Sequence, residues 1–84
     1  MPKFLDHHAK MPELPPGAMQ QMQADIQGKK ADQLGVTPLN VFMGTTGEAW
    51  CLTEAPNAGA VIKGHAAMGV SLAPADIVEV NTLV

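Results

Sequence analysis

The chain opens with polar and apolar residues that alternate with a period of two, the pattern of a strand with two different faces. On residues 2–8 this alternation places Phe4, Asp6 and His8 together on one face. His7 lies on the opposite face. The pattern therefore predicts a short first strand whose two adjacent histidines point in opposite directions.

A loop and a helix are expected next. Residues 11–17 contain three prolines and a glycine, a composition that excludes a strand or helix interior and predicts a turn-rich connection. Residues 18–34 place Met22 and Ile26 on one stripe at helical spacing, which predicts an amphipathic helix. Gly35 is the expected C-terminal cap of this helix.

The second half of the chain predicts a hairpin, a helix and a last strand. Residues 36–53 are rich in β-branched and aromatic residues and are interrupted by a glycine-containing turn at residues 44–47. Asn57 is the expected N-cap of a second helix, which ends at Gly69. Residues 77–84 alternate again and predict the final strand.

The resulting order, β-α-β-β-α-β, predicts an α+β fold in a single domain spanning residues 1–84. It matches the ferredoxin-like sandwich, a four-stranded antiparallel sheet with two helices on one face. Right-handed crossovers place strands 1 and 3 at the centre and strand 4 beside strand 1. We expect apolar residues, Phe4 among them, on the uncovered face, where they would pair with a second copy in a homodimer.

Composition and charge exclude several classes of partner. The chain has 84 residues, no arginine and a net charge of −3, so it lacks the basic surface that nucleic acids require. Without arginine it also lacks the usual bidentate clamp for phosphate or carboxylate ligands. A domain this small often depends on a metal or a partner chain for stability. Metal binding and dimerisation are therefore both more plausible for this chain.

The cysteine content and the lengths of the apolar segments indicate where in the cell the protein resides. Cys51 is the single cysteine and has no second cysteine for an internal disulfide. No stretch approaches the roughly 18 apolar residues that span a bilayer. We therefore expect a cytoplasmic protein with no membrane partner.

Candidate metal ligands gather at one pole of the predicted fold. The topology brings the end of the first strand, which carries His7 and His8, close to the end of the second helix, which carries His65. Met22 of the first helix belongs to the same pole. Imidazole suits nickel, copper and zinc, and thioether sulfur suits Cu(I), so these residues predict a transition-metal site without a recognised spacing motif.

Ordinary structural roles compete with this interpretation. His65 fits a core position bonded to a backbone carbonyl, Cys51 fits a buried small apolar residue, and Met22 fits a flexible core filler. Asp6 can orient His8 on its own strand face. Glu54, at the end of the third predicted strand, fits a solvated carboxylate as well as a ligand.

Several segments resemble the small bacterial nickel-binding ferredoxin-like proteins, long catalogued as a domain of unknown function. The resemblance rests on residues 1–6 followed by His8, on residues 51–58, on His65 and on residues 75–80. It covers nearly the whole chain and is loose in the first helix. It implies a dimeric α+β protein in which histidines and acidic residues near the dimer interface bind a metal ion.

Carried over by position, the resemblance implies His8 and His65 as family histidines, with Asp6, Cys51 and Glu54 at its polar positions. The chain departs from the family pattern elsewhere. Met22 and Met68 stand where the family carries histidines, and His7 stands where an apolar residue is usual. Such changes would shift the preferred metal from Ni(II) toward Cu(I) or abolish the site. The candidate metal residues are therefore His8, His65, Asp6, His7, Met22, Cys51 and Glu54.

Two other classes of function remain open. The first is a small dimeric α+β barrel enzyme, of the cofactor-free monooxygenase or isomerase type, acting on an apolar small molecule. Asp6 and His8 would then act as acid and base, with Trp50 and methionines lining the pocket. A variant that uses an N-terminal Pro2 amine, as in tautomerases, is disfavoured because the chain has no arginine for their carboxylate substrates. The second class is an interaction module that binds neither metal nor substrate.

Overall fold

The structure is a computed structural model that describes residues 1–11 and 13–83. Pro12, in the predicted loop, and Val84, at the end of the predicted last strand, lie outside the described residues. The elements are β1 (Lys3–His8), α1 (Ala18–Gly28), β2 (Thr37–Met43), β3 (Ala49–Glu54), α2 (Ala58–Ala67), a 3-10 turn (Pro74–Asp76) and β4 (Ile77–Val80).

The four strands form one antiparallel sheet in the order β2-β3-β1-β4. Strands β1 and β3 are central neighbours and β4 lies beside β1, as the order of elements predicts. With its two helices, this α+β arrangement is compatible with the ferredoxin-like fold. No helix in the described part of the chain is long and apolar enough to cross a membrane.

Helix α1 is shorter than its sequence pattern predicts. It ends at Gly28, because Lys29 adopts a left-handed conformation with φ 49° and donates its backbone N–H to carbonyls of the last turn. The chain then turns around Asp32, whose carboxylate accepts backbone N–H groups of Leu34 and Val36. Gly35, with φ 79°, serves this turn and not the helix end.

Helix α2 begins where the sequence predicts. The Asn57 side chain accepts the backbone N–H of Ala60 at 2.9 Å, so Asn57 is the N-cap. The helix ends at Ala67, with Met68 as its C-cap, two residues before the predicted end at Gly69. The last strand is also shorter than predicted and ends at Val80.

The expectation that Phe4 lies on the uncovered face of the sheet is wrong. Phe4 is only 5% exposed and packs in the core with Ala60 and Val61 of α2. Because strand side chains alternate, Asp6 and His8 lie on this same helix-covered face. The opposite face, here called the open face, is formed by Leu5, His7, Phe42, Trp50, Leu52 and Val78.

Candidate metal centre

Two central strands and one helix bring together four side chains of the types that ligate metal ions. The antiparallel register pairs Asp6 of β1 with Cys51 of β3, on the helix-covered face of the sheet. His8 follows two residues after Asp6 on the same face, and α2 places His65 above them. One donor atom from each of the four lies within 4.8 Å of the others, and we call this group the four-donor cluster.

Asp6 makes the closest contacts within the cluster. Its Oδ1 lies 2.7 Å from Nε2 of His8 and 3.5 Å from Nε2 of His65. The two imidazole rings are nearly stacked, with centroids 5.2 Å apart and an interplanar angle of 29°. Both histidines therefore turn the same ring nitrogen, Nε2, toward one carboxylate oxygen.

The cluster is shielded from solvent. Asp6 has no exposed surface, and His8 and His65 are each only 8% exposed. Although His8 lies close, neither oxygen of Asp6 accepts a well-directed hydrogen bond from the described residues. A buried carboxylate without hydrogen bonds is energetically costly, so its position calls for a compensating positive charge.

A backbone contact fixes the orientation of His65. Its Nδ1 lies 2.8 Å from the carbonyl oxygen of Val61, one helical turn earlier, and donates a hydrogen bond to it. This contact leaves Nε2 directed at the cluster. Metal-bound histidines in proteins are typically held by the same kind of contact from their second ring nitrogen.

The charge of the metal-free cluster follows from these contacts. Burial alone would lower the pKa of His65, but the Asp6 carboxylate, the Cys51 sulfur and the Val61 carbonyl together raise this pKa to about 10. Without a metal, His65 is therefore protonated at neutral pH. Its imidazolium supplies the positive charge beside Asp6.

The donors fit a divalent transition-metal ion. Two imidazole nitrogens, a sulfur and a carboxylate oxygen are ligands that zinc and its neighbours in the first transition row accept. Around a tetrahedral ion, with bonds of about 2.0–2.3 Å, neighbouring donors lie about 3.3–3.8 Å apart. The separations here run from 2.7 Å to 4.8 Å, so small side-chain movements would accommodate an ion.

Three of the predicted site residues lie outside the four-donor cluster, and two of them, His7 and Glu54, also lie away from it. His7 points to the open face, where its Nε2 lies 2.7 Å from Oε2 of Glu48 and its ring lies 5.3 Å from that of Trp50. Glu54 pairs with Lys3 at the far end of β1. Neither residue is a member of the four-donor cluster.

Met22 lines a cavity that also reaches the four-donor cluster. Helix α1 has no buried residue, and a cavity of about 420 Å³ lies between α1, α2 and the sheet. Met22 of α1 lines this interhelical cavity together with Cys51 and His65. The cavity therefore reaches two of the four donors.

The sequence predicted a backbone-carbonyl partner for His65, and the contact with Val61 confirms it. Sequence reasoning did not name Val61 as that partner, although it precedes His65 by one helical turn, and it missed Thr53. Thr53 follows Cys51 by two residues on β3, so strand alternation could have placed both on one face. Thr53 is 6% exposed and also lines the interhelical cavity.

Comparison with known proteins gives one similar solved structure. No family model and no curated protein matches the chain. Its fold is similar to the crystal structure of SCO4226 from Streptomyces coelicolor A3(2), with a TM-score of 0.68 and 27% sequence identity. The similarity covers 98% of this chain and 99% of that protein, so it supports the fold from end to end.

Proposed function

We propose that the protein binds a transition-metal ion through Asp6, His8, Cys51 and His65. The observation that carries this proposal is the buried carboxylate of Asp6, whose oxygens lack hydrogen bonds from the described residues while three other donors converge on it. A bound cation would compensate this charge directly. Metal uptake would displace the proton on Nε2 of His65.

We propose Ni(II) as the metal. The resemblance of the sequence to nickel-binding proteins supports this choice, and so does the mixture of donors. Imidazole suits Ni(II), whereas Cu(I) prefers sets dominated by thiolates and thioethers. A carboxylate at the centre of the cluster is a hard ligand and disfavours Cu(I). Zn(II) and Cu(II) are the competitors that a titration must rank.

The test is metal titration of the metal-free protein without a histidine tag. Native mass spectrometry with Ni(II), Zn(II), Cu(II) and Cu(I) gives the number of ions per chain, and we expect one. Ni(II) bound to the Cys51 thiolate should also give a ligand-to-metal charge-transfer absorption. This absorption should disappear in Cys51→Ser, and His8→Gln or His65→Gln should weaken binding by at least about 100-fold.

His7→Gln is the matched control, because His7 is adjacent to His8 in sequence and faces the other side of the sheet. We expect this variant to bind Ni(II) as the unchanged protein does. Equal losses in His7→Gln and His8→Gln would contradict the assignment of the site. Failure of the unchanged protein to retain any of the metals would refute the proposed function.

We further propose that the protein is a homodimer that pairs through the open face. Phe42 and Val78 on this face are 48% and 56% exposed, and Leu5, Trp50 and Leu52 extend the apolar surface between them. Exposed apolar surfaces of this kind typically mark an interface. The native mass spectra test the proposal, since Val78→Lys should convert the dimer into a monomer. A monomeric unchanged protein would contradict it.

A further inference from the structure

The interhelical cavity has the size of a small-molecule site. Its volume of about 420 Å³ lies within the range of about 300–1,000 Å³ typical of small-molecule sites. Most of its wall is apolar. The apolar side chains include those of Leu14, Met22, Val36, Val41 and Met68.

One polar group in the cavity wall lacks a partner. The hydroxyl of Thr53 makes no hydrogen bond with the described residues, although Thr53 is only 6% exposed. Buried hydroxyls nearly always have a hydrogen-bond partner. Because the Thr53 side chain lines the cavity, rotation about its Cα–Cβ bond can turn the hydroxyl toward a bound molecule.

The wall has no clear excess of either charge. Two acidic side chains, Asp25 and Asp32, and two basic side chains, Lys30 and His65, line the cavity. The Asp25 carboxylate accepts a hydrogen bond from Gln21, and the Asp32 carboxylate accepts backbone N–H groups of the loop after α1. An uncharged molecule suits this surface best.

We propose that the interhelical cavity binds a small, uncharged, largely apolar molecule that carries one hydroxyl group. The apolar body packs against Met22 and Met68, and the hydroxyl forms a hydrogen bond with Thr53. The inference rests on the proposed function in one respect, because Cys51 and His65 belong both to the cavity wall and to the metal centre. The molecule therefore sits beside the bound ion.

The test uses 2-naphthol as the probe and naphthalene as the matched molecule without a hydroxyl. Protein labelled with ¹³C at the methionine methyl groups is titrated in its metal-free and zinc-loaded forms and followed by NMR. We expect the signals of Met22 and Met68 to shift. Those of Met1 and Met43, which do not line the cavity, should stay in place.

Thr53→Val tests the hydrogen bond, since valine keeps the branched shape and removes the hydroxyl. We expect this variant to bind 2-naphthol about 3- to 10-fold more weakly, the effect of one neutral hydrogen bond, while its affinity for naphthalene stays within about 2-fold. Equal weakening for both molecules would overturn the role of Thr53. Shifts confined to Met1 or Met43, or no shifts at all, would overturn the cavity site.

The two proposals fail in different ways. Retention of Ni(II) or Zn(II) without any shift at Met22 and Met68 would overturn the ligand site and leave the metal site intact. Shifts of the Met22 and Met68 signals in a protein that retains no metal would overturn the metal site. This second result would support the ligand site and overturn the inference that the ligand lies beside a bound ion.

Discussion

At the scale of single residues, two adjacent histidines illustrate how strongly the sheet geometry governs chemistry. His8 faces the helices and contacts Asp6, whereas His7 faces the open side and contacts Glu48. Their sequence positions differ by one, but their partners come from different faces of the sheet. A change of register by one residue would exchange these roles.

His65 makes the stability of the metal-free protein depend on pH. Its pKa is about 10 in the folded chain and about 6.5 in the unfolded chain, so the folded state binds more protons between these values. The stabilisation from His65 is fully present below pH 6.5. It is lost as the pH rises through 10.

Chemical denaturation at several pH values checks this prediction. The free energy of unfolding of the metal-free protein should fall between pH 6.5 and 10, and this fall should be much smaller in His65→Gln. The glutamine variant removes the imidazole and keeps every other titratable group, so it isolates the contribution of His65. The same slope in both proteins would contradict the assignment.

The candidate site could be predicted only in part from the sequence. Strand alternation placed Asp6 and His8 on one face, and helical spacing placed His65 on the stripe of α2 that faces the core. The proximity of Cys51 depends on the register between β1 and β3, which local patterns do not determine. His7 remained a candidate because alternation does not show which face the helices cover, and Glu54 remained one because its neighbours depend on the same register.

At the scale of elements, helix boundaries depended on single backbone conformations. The N-terminus of α2 was predicted correctly because Asn57 is a strong capping residue. The C-terminus of α1 was predicted too late because the residues after Gly28 are acceptable helix formers. The left-handed conformation of Lys29 and the turn around Asp32 end the helix earlier.

The N-cap of α2 also supports the four-donor cluster, because this helix carries His65. We expect Asn57→Ala to lower the free energy of unfolding by about 1 kcal/mol, since the backbone N–H of Ala60 loses its partner. Urea denaturation of the metal-free protein measures the change. Asn57→Asp, which keeps an oxygen acceptor, serves as the control and should lie close to the unchanged protein.

At the scale of the whole molecule, the four-donor cluster joins β1, β3 and α2, which are distant in sequence. An ion that binds only the folded chain stabilises it by about 2.7 kcal/mol when present at 100 times its Kd. We therefore expect Ni(II) to raise the Tm of the protein in a concentration-dependent way. Differential scanning calorimetry should show no such rise in Cys51→Ser, and an equal rise in that variant would contradict a specific site.

The overall topology was the most predictable property of the chain. The order of elements and the handedness of crossovers were enough to place β1 and β3 at the centre of the sheet. The position of Phe4 was predicted incorrectly, because alternation shows which residues share a face but not which face the helices cover. Packing against Ala60 and Val61 of α2 determines that choice.

Helix α1 contributes no residue to the four-donor cluster and has no buried residue. It is therefore packed less tightly against the rest of the molecule than β1, β3 and α2 are. Segments with few buried contacts open locally at a lower free energy than the core. The amide hydrogens of α1 should consequently exchange with solvent faster than those of β1 and β3. Such an opening would admit a molecule to the cavity from the side while the four-donor cluster keeps its arrangement.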